Sequence, residues 1–132
     1  KKAEARLVYV QSSYFNSNKV VDVDCGHSYA LALTENYQIY SFGVGQSGTL
    51  GHGTNVTVQL KPKKIEMPNS LVKIIGIEAG QNHAAAITSA RKAMIWGYGG
   101  DGRLGQGDFD TTFVPKTVDQ LDSENIVRIS CG

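Results

Sequence analysis

Two glycine sets in this chain, Gly43-x-Gly45-x-x-Gly48 and Gly97-x-Gly99-x-x-Gly102, have the spacing that holds a dinucleotide pyrophosphate when a helix follows. In that arrangement the helix N-terminus turns its backbone N–H groups and positive dipole end toward the phosphates. Here Leu50-Gly51-His52-Gly53 and Leu104-Gly105-Gln106-Gly107 follow instead. Each interior glycine costs a helix about 1 kcal/mol relative to alanine, so these segments do not start one. The glycines are assigned to structural loops, and the sequence gives no phosphate ligand and no cofactor.

The other reactive side chains do not converge either. His27, His52 and His83 are dispersed, and Cys25 beside His27 lacks further ligands at metal-site spacing. Cys25 and His83 do not recur together as a nucleophile and its base. Asp101, Asp108 and Asp110 lack the oxygen spacing of a calcium loop and fit turn and cap roles. His83 opens a strand, where hydrogen bonding to neighbouring backbone is its expected role. Phe42 and Trp96 are expected to pack rather than to stack on bases. One basic cluster stands out: Lys61, Lys63 and Lys64 around Pro62. Lysine and proline blunt an exposed strand edge, so edge protection is one reading and contact with an acidic partner the other. The matching segment, 114–118, keeps only Lys116.

What positions these residues is a repeat. Residues 26–53 and 80–107 align without a gap at an offset of 54, with ten identities. Six of the ten are glycine: Gly26, Gly43, Gly45, Gly48, Gly51 and Gly53 fall on Gly80, Gly97, Gly99, Gly102, Gly105 and Gly107. Such positions are expected to need positive φ or close backbone approach. Leu50 and Leu104, the apolar residues inside the two loops, are expected to anchor them. Cys25-Gly26 recurs as Cys131-Gly132. A fixed period near 50 residues signals a solenoid, an array or a propeller.

Within each unit, short apolar runs alternate with turn residues, and no helical period is sustained. The first strand is expected over Val20 to Asp24, and again over Lys73 to Ala79 and Ile126 to Ser130. The second, Tyr29 to Thr34 and His83 to Thr88, is apolar on both faces but mostly small, as suits a strand clad on both sides. The third runs Gln38 to Phe42 and Lys92 to Trp96. The fourth runs Lys61 to Ile65 and Val114 to Val118, with Pro62 and Pro115 marking an edge. Four short strands per unit describe the blades of an all-β propeller. The organisation expected is 20–72 for the first repeat, 73–125 for the second and 126–132 for the start of a third. Residues 1–19 fit the repeat less well, although Arg6 to Gln11 would serve as the outer strand of a preceding blade.

About three repeats are needed before such units bury their faces, so two and a fraction read as a piece of a longer protein. The formal net charge of +1 gives no global field for nucleic acid or a membrane surface. No apolar run approaches the roughly 18 residues of a membrane-spanning helix. Cys25 and Cys131 hold one position two repeats apart, with Ala79 between them. Around a ring, equivalent positions two units apart lie beyond the ~7 Å between Cα atoms that a disulfide spans. They are expected to be buried, reduced thiols, which favours an intracellular protein. Asn55-Val56-Thr57 is a formal glycosylation acceptor of a common kind.

The constellation Gly80, His83, Thr88, Trp96, Gly97, Gly102, Arg103, Leu104, Gly105 and Gly107 resembles the regulator of chromosome condensation repeat. The first copy departs from it with Tyr29 for histidine, Phe42 for tryptophan and Thr49 for glutamine or arginine. The resemblance covers roughly residues 20–132 and implies a seven-bladed propeller, of which this chain supplies about a third. Members include an exchange factor for the GTPase Ran that also binds nucleosomes, modules of large ubiquitin ligases, ciliary GTPase-linked scaffolds and a plant light receptor. Fold is shared among them and function is not. The leading expectation is a non-enzymatic scaffold for protein partners, with no small-molecule substrate and specificity in the loops 54–60, 67–71, 108–113 and 119–125. Guanine-nucleotide exchange on a small GTPase is the alternative, and a structural part of a cytoskeletal or ciliary assembly is the third.

Overall fold

The computed structural model describes residues 12–53, 56–98 and 111–118. A short 3-10 turn, Ser12–Phe15, precedes eight strands. They are β1 (Val20–Cys25), β2 (Tyr29–Thr34), β3 (Ile39–Val44), β4 (Val58–Lys64), β5 (Ile74–Ala79), β6 (His83–Thr88), β7 (Ala93–Gly97) and β8 (Thr112–Thr117). The strands form two antiparallel sheets, ordered β1-β2-β3-β4 and β5-β6-β7-β8, so each sheet is one consecutive meander. The repeated sequence produces repeated local geometry. Thr34 N donates to Gln38 O and Tyr37 N to Thr34 O, while Thr88 N donates to Lys92 O and Arg91 N to Thr88 O. Tyr37 and Arg91 close these two turns in the left-handed region, at φ 69 and φ 64.

The outer strands carry the largest irregularity. Ser41 pairs with Lys63 and Gly43 with Gln59, which leaves Leu60, Lys61 and Pro62 opposite the single residue Phe42. In the second sheet Ile95 pairs with Lys116 and Gly97 with Thr112, leaving Phe113, Val114 and Pro115 opposite Trp96. Proline thus falls inside a bulge, where no ladder donor is required. The bulge also explains why β4 begins at Val58 and β8 at Thr112, earlier than alternation suggests. Three residues against one break the period of two on which the expectation rested. The third strands differ by a residue or two as well, because pairing carries β3 on to Val44 and β7 to Gly97.

The core lies between the sheets. Leu31, Leu33, Ile39 and Leu50 meet Ala84, Ala86, Met94 and Trp96, with Ile74 and Ile77 closing one side. Every residue of β6 is buried, and its alanines let the first sheet approach closely. A second cluster on the far face of the first sheet joins Phe15 to Ala32 and Tyr40. One expectation is corrected: Cys25 is exposed. Its counterpart Ala79 is buried because it faces the first sheet, whereas no described residue covers the corresponding face at Cys25. The segments 1–11, 119–125 and 126–132, Asn55, Cys131, Gly99, Gly102, Leu104, Gly105 and Gly107 lie outside the described residues.

Candidate protein-interaction site

Polar groups of the repeat motif are spent on joining one sheet to the next. Asp24 accepts from Cys25 N with one carboxylate oxygen and from Ala79 N of the second sheet with the other, at 2.7 Å. The Tyr29 hydroxyl lies 2.8 Å from Gly80 O and 3.0 Å from His83 O, so its hydrogen is shared between two carbonyls of the second sheet. Trp96 donates its indole N–H back to Thr49 O of the first glycine loop at 3.0 Å. Ile74 N donates to Tyr37 O, and Gly53 N to Phe113 O. Tyr29 thereby makes the kind of backbone contact expected at this position of the repeat, and its counterpart His83 is buried as well. Tyr29→Phe is expected to lower unfolding stability by about 1–2 kcal/mol, since two buried carbonyls lose a donor while the ring remains. Chemical denaturation of the two proteins checks this.

The glycine loop between β3 and β4 is fixed by buried contacts. Leu50 is fully buried, and Gly48 packs so closely on Thr112 O and the Phe113 Cα that a side chain has no room. Ser41 Oγ donates to Leu50 O at 2.7 Å. With that hydrogen committed, the His52 Nε2–H donates to Ser41 Oγ at 2.8 Å. Burial pushes the His52 imidazole down from 6.5 to about 4; Lys63 adds to the effect, and Glu66 and the Ser41 backbone oppose it. The unfolded chain therefore takes up a proton between pH 6.5 and about 4 that the folded chain refuses. Stability present above pH 6.5 should be lost as pH falls through this window. Solvent reaching the half-buried ring limits the loss to about 1 kcal/mol. His52→Gln, matching Gln106 in the second repeat, should flatten that part of the stability–pH curve.

What remains for partners is the two ends of the seam. At one end His27, Ser28, Gln46, Thr49, Gln81 and Asn82 surround a neutral, polar cleft of about 220 Å³. At the other, the turns and the link between β4 and β5 carry Lys19, Lys73 and Arg91 in exposed positions, with the ammonium of Lys73 lying 5.3 Å from the Tyr37 ring centroid. The basic cluster singled out in the sequence is divided. Lys61 leans over Tyr14 at 5.6 Å, Lys63 lies near His52, and Lys64 lines a cleft with Glu66 and Tyr37. Among the described residues no three His, Cys, Asp or Glu side chains gather as a metal site, and no helix is long and apolar enough to cross a membrane. Sequence reasoning missed His52 and the seam roles of Asp24 and Tyr29. The acidic residue before Cys25 recurs as Glu78 before Ala79, which was the available signal.

Residues 38–87 and 95–132 match the profile of the regulator of chromosome condensation (RCC1) repeat. The chain belongs to the RCC1 repeat family. This RCC1 chain is 31% identical to human E3 ubiquitin-protein ligase HERC2, over 88% of its own length and 2% of the relative's. It is 30% identical to the Arabidopsis thaliana ultraviolet-B receptor UVR8, over 98% and 29%. It is 36% identical to the human X-linked retinitis pigmentosa GTPase regulator, over 86% and 11%. It therefore spans under a third of each of these relatives. Among solved structures, Prp20p of Saccharomyces cerevisiae superposes with a TM-score of 0.76 at 25% identity, over 89% of this chain and 30% of that one. Human WBSCR16 gives 0.75 at 24%. The two sheets are blades of an RCC1-type β-propeller.

Proposed function

We propose that this RCC1-repeat chain is part of a propeller that acts as an intracellular scaffold for protein partners, without catalytic chemistry of its own. The observation that carries this reading is the fate of the motif side chains. Asp24, Tyr29 and Trp96 are consumed in hydrogen bonds to the backbone of the neighbouring blade. The turns held at the ends of the seam are left for recognition, and they differ between repeats: His27-Ser28 in one, Gln81-Asn82 in the other. Loops on a rigid frame are where binding specificity concentrates. The proposed repeat boundaries are 20–72 and 73–125, with 126–132 opening a third. Affinity capture of the full-length protein from its source cells, followed by mass spectrometry, tests the reading. A reproducible set of protein partners supports it, and recovery of the bait alone counts against it.

Likeness to Prp20p, a protein described for its binding properties to Gsp1p and histones, favours a second reading, exchange on a small GTPase. Exchange requires a surface that prefers the nucleotide-free GTPase, not a catalytic side chain, so the geometry is compatible with it. Accelerated release of labelled GDP from any member of a GTPase panel would replace the scaffold-only reading with this one.

A further inference from the structure

The polar end of the seam is built by both blades. The β1–β2 turn supplies His27 and Ser28, the β5–β6 turn supplies Gln81 and Asn82, and the first glycine loop supplies Gln46. Each turn is tied down through a carbonyl of its own. Val44 N donates to Ser28 O at 2.8 Å and Tyr98 N to Asn82 O at 2.7 Å, so the backbones are held while the side chains stay exposed. Among the described residues, none of these five side chains is engaged in a hydrogen bond or an ion pair. They surround the cleft of about 220 Å³, whose floor includes the buried residues Gly45, Thr49 and Tyr29. The repeat does not dictate this composition. At the offset of 54, Gln46 corresponds to Gly100, Thr49 to Arg103 and His27-Ser28 to Gln81-Asn82. Gly26, Gly43 and Gly45 recur in the second copy, whereas the polar residues lining the cleft do not.

We infer that this cleft binds an extended segment of a partner protein through its peptide groups. Gln46, Gln81 and Asn82 each carry a carboxamide, which offers a donor and an acceptor side by side. A peptide group presents the same pair, so main-chain recognition uses both atoms of the carboxamide. One carboxamide stands on the glycine loop of the first blade and two on a turn of the second, so a segment in the cleft is held by both blades. Val44 lines the cleft and is 44% exposed, which gives one side chain of the segment an apolar contact. Tyr29 is only 4% exposed, so its ring is withheld from a nucleic-acid base that would need to stack on it. The inference rests on the scaffold reading and names how one class of partner is held at one end of the seam.

The test selects peptides from a random display library on the full-length protein, with counter-selection on the triple variant Gln46→Gly, Gln81→Ala, Asn82→Ala. All three positions are exposed, so the variant should melt at the wild-type temperature. A selected peptide, labelled for fluorescence anisotropy, should bind each single variant roughly fivefold to tenfold more weakly, the effect of one lost hydrogen bond. The single variants also cover the case in which the triple variant folds poorly. N-methylation of the peptide backbone at one or more positions should weaken binding by a similar factor. Raising salt from about 0.1 M to about 1 M should change it less than about twofold, since screening acts on charges. The inference is overturned if no peptide is enriched, or if enriched peptides bind the single variants or the N-methyl analogues undiminished. It is also overturned if salt alone releases the peptide, or if a single-stranded oligonucleotide displaces it at lower concentration than unlabelled peptide does. Affinity capture with wild type and the triple variant separates the two levels. An unchanged set of partners leaves the scaffold standing and sinks the cleft, whereas recovery of the bait alone from wild type sinks the scaffold.

Discussion

Replacing Trp96 by alanine is expected to lower the unfolding free energy by about 4 kcal/mol, a large share of a typical domain's total. The indole is fully buried between the blades, against Gly51 of the first glycine loop. Its removal opens a cavity on the seam and strips Thr49 O of its donor. Two losses therefore add: the transfer and cavity cost of an aromatic ring, and an orphaned carbonyl. Trp96→Phe separates them. Phenylalanine, which the first repeat carries at Phe42, keeps most of the apolar fill and should cost only about 1–2 kcal/mol, the orphaned carbonyl dominating. Guanidinium unfolding of the full-length protein measures both. A loss below about 1 kcal/mol for the alanine variant would mean that the blades are held by something other than this residue.

The second large effect is at Gly97. Its φ of 116 is open to glycine and strained for a side chain. A Cβ there would stand 2.6 Å from the Cα of His83 and 2.7 Å from Asn82 O, and backbone atoms so placed cannot yield as a flexible side chain can. Gly97→Ala is expected to destabilise by more than about 3 kcal/mol, combining left-handed strain with displacement of β6 from β7. Gly76 provides the control. Its Cβ would meet only Ile87, at 3.8 Å, so Gly76→Ala should be neutral or stabilising by up to about 1 kcal/mol through the unfolded state. The contrast between two substitutions of one type, read in the same denaturation experiment, is the measurement. If both variants unfold at the same midpoint, the close approach at Gly97 is not what holds the two strands together.

The sequence made β2 and β6 legible to the residue because both are continuous apolar runs bounded by turn residues, and burial on two faces leaves no other use for such composition. The glycine spacing likewise disclosed the first loop, where Gly43, Gly48, Gly51 and Gly53 all take positive φ, a conformation that few other residue types adopt. The outer strands were legible only in part. The bulges at Leu60–Pro62 and Phe113–Pro115 break alternation where the strands are most exposed. Exposure of Cys25 was hidden because residue type reports the environment of the complete repeat, while exposure depends on which neighbour is at hand.

The wide bulge in each outer strand also governs how material of this kind can assemble. A straight edge strand offers alternate donors and acceptors to any extended chain that drifts past, and sheets with such edges propagate from molecule to molecule. Leu60–Pro62 and Phe113–Pro115 interrupt that template at mid-strand, and each interruption includes a residue without an N–H. Growth by strand addition at the rim is thereby blocked, while stacking of sheet on sheet stays open. The architecture is a polymer with a single permitted direction, in which the circumference can close but the radius cannot lengthen.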